Sequence, residues 1–319
     1  MTAEPLRRKL NLDDLAEVCS YLGVETREKI YFRQEKPGKK KVYEIVNGLL
    51  MPYGFVDFSE GQFKRIAGGS VSSSNKIKNY ARDYGRISYG YTYIEDIVKY
   101  CREVLENSVF VPLEKLVEQF DWAKTAINEG YITRYSGGGA RYDIEAMIDI
   151  TKGLMPEVAF QIDAMKIFGC EIDLDREFYG GPLETDEGWD VAKVREGSRW
   201  RTPELKVQIK DVQYFLLVPV EEFYGTRSAE AYVAYRTHWS KAYTAQQFLR
   251  AFGGIGEKIF DDFPPLEGIR VERRGWAEKG DLKHLPPKES YMGLSFNADN
   301  MFVYWDDLRD IRTFPFNKL

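Results

Sequence analysis

The fold is decided by residues 155–210, which read MPEVAFQIDAMKIFGCEIDLDREFYGGPLETDEGWDVAKVREGSRWRTPELKVQIK. Pro156 is favoured in the first turn of a helix, and Gly169 can end that helix. Apolar residues at helical spacing give it one buried face: Val158, Ile162, Met165 and Phe168. Three strands are predicted after the glycine, over 170–174, 188–194 and 204–210. This order predicts an α/β or α+β domain with a mixed β-sheet flanked by helices.

The last predicted strand carries polar groups on one face. Its apolar residues alternate with Lys206, Gln208 and Lys210, so amide and ammonium groups share one side. Asp190 lies on the preceding strand, and the turn between the strands can bring it close to Gln208 and Lys210. Carboxylate and amide oxygens suit Mg²⁺, and a nearby lysine can position an attacking water or stabilise developing charge. The pattern predicts Mg²⁺-dependent phosphodiester hydrolysis with Asp190 and Gln208 as metal ligands, and with Glu157 as an outer ligand or base from the helix.

The same stretch resembles the PD-(D/E)xK nuclease superfamily, in particular its Mrr-like branch of type II restriction endonucleases. The matching motifs are FGCEI at 168–172, DEGWDV at 186–191 and VQIK at 207–210, about 60 residues from the first helix to the last motif. The resemblance implies four site residues: Asp190 as a metal ligand, Gln208 in place of the usual acidic ligand, Lys210 as the catalytic lysine and Glu157 as the acidic residue of the first helix.

Two other interpretations of these residues stay open. Glu204 and Lys206 point to the same face as Gln208 and Lys210, and they form a second acidic-x-Lys pair one pleat earlier. The predicted site residues are also compatible with exposed strand positions in an ordinary α/β domain. The chain departs from the family in three ways: no proline precedes Asp190, the stretch 211–223 after the last motif differs from the usual Mrr continuation, and a neutral glutamine contributes less metal affinity than a glutamate.

In the N-terminal half, residues 59–85 predict a helix-turn-helix. Ser59 can cap a short helix, Gly68 and Gly69 make a turn, and serines at 72–74 can cap a second helix. A second helix with a polar, basic start can enter a major groove, although a plain helical hairpin gives the same pattern. The side chains expected to contact DNA are Lys76, Lys78, Asn79 and Arg82.

Residues 111–145 resemble a winged helix. Two helices are predicted over 113–120 and about 121–129, and they are followed by a β-hairpin around the glycines at 137–139. The basic residues expected to contact DNA are Lys124, Arg134 and Arg141. Winged helices also mediate protein contacts, so protein binding stays an alternative.

Charge is unevenly distributed along the 319 residues, whose net charge is −5. Residues 27–41 carry seven basic and two acidic side chains, and residues 61–94 carry six and one. Residues 154–190 carry ten acidic and two basic side chains, where the predicted Mg²⁺ would offset them. The net charge of −5 is therefore compatible with a DNA-binding enzyme.

Composition narrows the class of protein. With 44% hydrophobic residues the chain is globular, and the sequence shows neither a membrane-length apolar run nor an apolar leader. Cys19, Cys101 and Cys170 form no zinc pattern, which favours a reducing cytoplasm. His238 and His284 lack suitably spaced partners, so both are predicted to be structural or surface residues.

Together these patterns predict a DNA-binding region over 1–150 and a nuclease domain over 151–319. The expected activity is Mg²⁺-dependent hydrolysis of double-stranded DNA by a cytoplasmic restriction enzyme, and two strands to cut favour a homodimer. The alternative is a DNA-binding regulator with a non-catalytic C-terminal ligand-sensing or dimerisation domain. A third candidate is an interaction protein with no nucleic acid partner.

Overall fold

The computed structural model combines helices with a mixed β-sheet, the coarse architecture expected from the sequence. No helix in the part of the chain that it describes is long and apolar enough to cross a membrane. The described residues are 9–27, 29–33, 45–46, 48–55, 89–128, 135–136, 139–140, 143–174, 193–196, 199–201, 205–212, 215–225, 228–238, 267–287, 290–291, 294–295 and 297–318.

The helices begin and end at local signals. In the first, the Asp14 side chain accepts a hydrogen bond from the Glu17 N–H at 3.0 Å, and Gly23 ends the helix at φ 64°. The helices are α1 (Leu15–Leu22), α2 (Ile94–Glu106), α3 (Leu113–Asn128), α4 (Asp143–Asp163) and α5 (Val220–Tyr224).

The winged-helix prediction was wrong in one respect, because α3 is a single helix where two were predicted. Its buried residues continue in one stripe across position 121: Leu116, Phe120, Ala123 and Ile127. Nothing in the sequence at that point interrupts the helix. The predicted hairpin is confirmed, since Tyr135–Ser136 pairs antiparallel with Gly139–Ala140. The structure describes the backbone of this hairpin but not its side chains.

The strands are β1 (Lys29–Arg33), β2 (Tyr89–Tyr93), β3 (Ser108–Pro112), β4 (Tyr135–Ser136), β5 (Gly139–Ala140), β6 (Ile172–Asp173), β7 (Lys193–Glu196), β8 (Arg199–Arg201), β9 (Val207–Asp211), β10 (Phe215–Pro219), β11 (Ala231–Thr237), β12 (Gly268–Glu278), β13 (Lys283–Leu285), β14 (Ser290–Tyr291), β15 (Leu294–Ser295) and β16 (Asn300–Tyr304). Four of them form the central sheet, in the order β3-β12-β11-β9. β9 and β11 are parallel, and β10 with α5 forms the connection between them, whereas the other pairs are antiparallel. A second sheet has the order β10-β16-β13.

Both faces of the central sheet are covered. On the α4 face, Val207 and Ile209 of β9 share a core with Met155, Val158 and Ala159 of α4. The β10 face is covered by the second sheet and α5. Its core includes Tyr232 and Ala234 of β11, Leu216 and Val218 of β10, Phe223 of α5, and Met301 and Val303 of β16. The sheet is therefore a buried middle layer between two cores.

Helix α4 starts earlier than the sequence predicts. It begins at Asp143, so Pro156 lies inside it, and the predicted stop is confirmed by Gly169 at φ 68° after a π-helical turn, Ala164–Phe168. The predicted domain boundary at 150/151 falls within this helix. In addition, β3 pairs with β12 and α3 shares the core of α4, so residues 108–128 pack with the C-terminal sheet.

A separate core lies in the N-terminal part and contains side chains of α1, of residues 45–46 and 49–50, and of α2. It connects to the sheet through Arg270 of β12, whose Nε donates to the Tyr53 carbonyl at 2.8 Å and whose Nη1 donates to the Ser108 hydroxyl at 3.0 Å. The predicted helix-turn-helix at 59–85 lies outside the described residues.

Candidate functional site

Strand β9 places Gln208 and Lys210 on the β10 face of the central sheet. In register with β11, Gln208 is opposite Tyr232 and Lys210 is opposite Ala234. Alternation along the strand sends Val207 and Ile209 to the α4 face, as the sequence predicts. Gln208 is only 3% exposed, because α5 and the second sheet cover this side.

Glu222 of α5 completes a polar group with these two residues. Lys210 Nζ lies 2.8 Å from Glu222 Oε1, and Gln208 Nε2 donates a hydrogen bond to the same oxygen. The side chains of Lys210 and Glu222 are 17% and 31% exposed, so the group is partly shielded but open to solvent at one end. We call Gln208, Lys210 and Glu222 the β9–α5 group.

Glu222 was missed by sequence reasoning. The signal that could have found it is the acidic pair Glu221–Glu222, which follows an apolar strand directly after the VQIK strand. Because the connection from β9 to β11 must return along the sheet, residues on it lie against the sheet face. Glu222 is aimed inward by this packing, whereas Glu221 is exposed.

The carboxyl ends of β9 and β11 are joined by Asp211. Its Oδ1 accepts a hydrogen bond from the Thr237 N–H at 3.1 Å and lies 3.4 Å from Arg236 Nη1. The Arg236 side chain is 8% exposed. This contact fixes the end of β9 directly after Lys210, which keeps the backbone of the β9–α5 group in place.

Glu157 is not brought to this group. It lies on α4 and is 8% exposed, and α4 packs against the face opposite to the one that carries Gln208 and Lys210. Lys206, the basic member of the alternative motif, is exposed and precedes β9. The sheet therefore separates Glu157 from Gln208 and Lys210.

Several predicted residues lie outside the described part of the chain. These are Asp190 and Glu204 near the candidate site, and Lys76, Lys78, Asn79, Arg82, Arg134 and Arg141 in the predicted DNA-binding region. Lys124 is described; it lies on α3 and its side chain is exposed. Exposure leaves it accessible to a phosphate, and its role in DNA binding stays a prediction.

His238 belongs to a buried ionic cluster with Glu272 and Arg274 of β12. His238 Nε2 lies 2.7 Å from Glu272 Oε2, and Arg274 Nη2 lies 2.8 Å from the same oxygen. The ring of Phe55 packs edge-on against His238 at 5.8 Å between centroids. Burial lowers the pKa of His238 to about 4, although the hydrogen bond and charge of Glu272 act in the opposite direction. His238 is therefore a neutral structural residue at physiological pH.

This lowered pKa predicts an acid-dependent loss of stability. The unfolded chain takes up a proton on His238 near pH 6.5, whereas the folded protein does so only near pH 4. Above pH 6.5 His238 is neutral in both the folded and the unfolded protein, so stability is at its full value. As the pH falls from 6.5 toward 4, the unfolded chain gains the proton first, and the free energy of unfolding falls by about 3 kcal/mol. Urea unfolding of wild type and His238→Gln at several pH values measures it. The variant should show a shallower pH dependence by about one proton in this window; parallel curves would contradict the prediction.

His284 lies in a different setting. Its Nε2 is 2.6 Å from Asp299 Oδ1, and the two side chains are 53% and 43% exposed. An exposed pair of this kind contributes little to stability. The placement agrees with the prediction of a surface residue.

The β9–α5 group supplies suitable donors for Mg²⁺. Glu222 offers carboxylate oxygens and Gln208 offers an amide oxygen, both of the hard type that this ion prefers. The ammonium of Lys210 already lies on Glu222 Oε1, which shows that the carboxylate is placed to accept a cation. Within the described ranges, no three His, Cys, Asp or Glu side chains form a metal-ligand set, so a further ligand would come from elsewhere, as predicted for Asp190.

Comparison of the chain with protein-family models, with curated proteins and with solved structures finds no match. The function is therefore inferred from the residues of the candidate site.

Proposed function

We propose that the chain is an Mg²⁺-dependent endonuclease of the PD-(D/E)xK type that cleaves double-stranded DNA. The observation that supports this proposal is the meeting of Gln208, Lys210 and Glu222 on one face of β9. The VQIK motif lacks the acidic residue expected two positions before the lysine. Glu222 of α5 provides a carboxylate next to that position, where it accepts hydrogen bonds from Gln208 and Lys210.

The chemistry follows from the charges in the β9–α5 group. Glu222 and Gln208 would hold Mg²⁺ through their side-chain oxygens, with Asp190 as the predicted further ligand. When bound, the ion supplies charge neutralisation at the phosphate and lowers the pKa of water. Lys210 donates a hydrogen bond to a phosphate oxygen and stabilises the negative charge that develops there. Water adds to phosphorus, one ester P–O bond breaks, and the leaving oxygen is protonated to a hydroxyl.

The remaining parts of the proposal concern the substrate and its recognition. The helix-turn-helix and winged-helix regions would contact DNA phosphates and bases through their basic residues, ahead of a restriction-endonuclease-like domain. Two chains would cut the two strands as a homodimer, in the manner of an Mrr-like restriction enzyme. The three cysteines are free thiols, two of them buried, which suits a reducing cytoplasm.

A plasmid assay tests the proposal. Purified protein is incubated with supercoiled plasmids, methylated and unmethylated, in Mg²⁺ or in EDTA. We expect nicked and linear products with Mg²⁺ only, and none from a mock purification of cells that carry the empty vector. Intact plasmid on every substrate would contradict the nuclease.

One observation favours the regulator instead. Lys210 and Glu222 satisfy each other as an ion pair, which is also how a purely structural contact would look. A regulator would form salt-sensitive complexes with duplex DNA, because phosphate binding releases counterions, and would leave the DNA intact. A gel-shift titration with salt, run beside the plasmid assay, distinguishes the two functions.

A further inference from the structure

In the β9–α5 group, the carboxylate of Glu222 is already paired with the ammonium of Lys210. Lys210 Nζ lies 2.8 Å from Oε1, and the amide of Gln208 donates to the same oxygen. The pairing avoids an isolated carboxylate at a site that is only partly open to water. It also means that Glu222 Oε1, one of the oxygens proposed to bind a metal, is occupied by side chains of the protein itself.

A divalent cation and the ammonium of Lys210 exclude each other at this oxygen. Like charges at contact distance repel each other strongly at a partly shielded site, and the double charge of the metal ion increases the repulsion. The amide of Gln208 also presents Nε2 to Glu222, whereas a metal requires its oxygen. Metal binding at Glu222 Oε1 therefore requires Lys210 to leave this oxygen and the amide of Gln208 to turn.

We propose that Lys210 takes the place of the divalent cation in the metal-free protein and is displaced from Glu222 when the cation binds. This inference rests on the proposed function, because it assigns Glu222 to the metal site. Displacement couples the two cations: the lysine becomes available to a phosphate oxygen only once the metal is in place. A site without metal then holds its lysine away from the substrate.

Direct binding of Mn²⁺ tests the exchange without any measurement of cleavage. Metal-free protein is titrated with Mn²⁺, and electron paramagnetic resonance measures the Mn²⁺ that stays free. The titration gives the dissociation constant of the Mn²⁺–protein complex. Lys210→Met keeps most of the side-chain volume and removes the competing charge, so we expect Mn²⁺ to bind about tenfold more tightly, which corresponds to about 1.4 kcal/mol. Lys210→Gln provides a second neutral variant if the first does not fold. Lys206→Met is the matched control, since Lys206 is exposed and precedes the same strand.

The outcomes separate the exchange from the proposed function. Tighter Mn²⁺ binding by a folded Lys210 variant, with Lys206→Met unchanged and Glu222→Gln at least tenfold weaker, supports both. Unchanged or weaker binding by the Lys210 variants, with Glu222→Gln still weakened, overturns the exchange and leaves the metal site standing. Mn²⁺ binding that does not depend on Glu222 removes the metal site, and the proposed function fails with it.

Discussion

Removing either charge of the Lys210–Glu222 pair is expected to lower the rate of plasmid cleavage about 10³-fold. Lys210→Ala deletes the ammonium that we propose stabilises charge on the phosphate in the transition state. Glu222→Gln keeps the shape of the side chain but removes the anionic oxygen that would hold Mg²⁺. We expect the two variants to lose cleavage to a similar extent, because in the proposed mechanism each charge acts only when both are present in the site. The rate of supercoiled plasmid loss in Mg²⁺, at saturating enzyme, measures both.

Matched controls lie next to the two residues. Glu221 precedes Glu222 on α5 and is exposed, and Lys206 precedes Lys210 and is exposed. We expect Glu221→Gln and Lys206→Ala to cleave within about twofold of wild type, because neither side chain meets the β9–α5 group. A large loss in Lys206→Ala with full activity in Lys210→Ala would assign the reaction to the Glu204–Lys206 motif instead.

The sequence was most informative where the pattern is local. Alternation along 205–210 predicts which side chains of β9 share a face, because the period of a strand is two residues. The stop at Gly169 is also local, because a residue with φ near 68° favours glycine. Both predictions are confirmed by the structure.

The sequence was least informative where a residue depends on its long-range neighbours. Alternation shows that Gln208 and Lys210 share a face, but it does not show what covers that face. The alternative interpretation takes these residues as exposed strand positions, yet Gln208 is 3% exposed, because β10 and α5 return over it. Glu222 entered the site through the same connection, whose path is set by the pairing of β9 with β11. No spacing within 204–210 contains that information.

A second limit concerns where a helix ends and which core it joins. Nothing at position 121 marks an end or a continuation, and the single stripe of α3 is visible only once its partners are known. Helix α4 likewise continues through Pro156, because its packing against the sheet outweighs the loss of one backbone hydrogen bond. Tertiary packing therefore decided both cases, without a local signal in α3 and against the signal of Pro156 in α4.

Replacing Asp163 by asparagine is expected to lower the free energy of unfolding by about 3–5 kcal/mol. Asp163 is fully buried at the end of α4 and accepts two hydrogen bonds of 2.6 Å from Arg273 of β12. The hydroxyl of Tyr235 of β11 donates to the same carboxylate at 3.0 Å, and burial together with Asp163 raises the pKa of Tyr235 well above its ordinary value. Asparagine cannot neutralise the guanidinium of Arg273, so a mostly buried charge would lose its partner. Urea unfolding at neutral pH measures the change.

The surface pair Lys115–Glu118 is the control for this prediction. Its charges lie 2.9 Å apart, a similar distance, but the side chains are 42% and 59% exposed. Lys115→Met should therefore change stability by less than about 1 kcal/mol, because water solvates the remaining carboxylate. A similar small loss in Asp163→Asn would show that α4 is held to the sheet by apolar packing alone. The informative result is a large loss of stability in Asp163→Asn together with plasmid cleavage near the wild-type rate at a temperature where the variant stays folded. It would show that the Asp163–Arg273 pair holds α4 to the sheet, whereas the reaction depends on a different pair, which we propose is Lys210–Glu222.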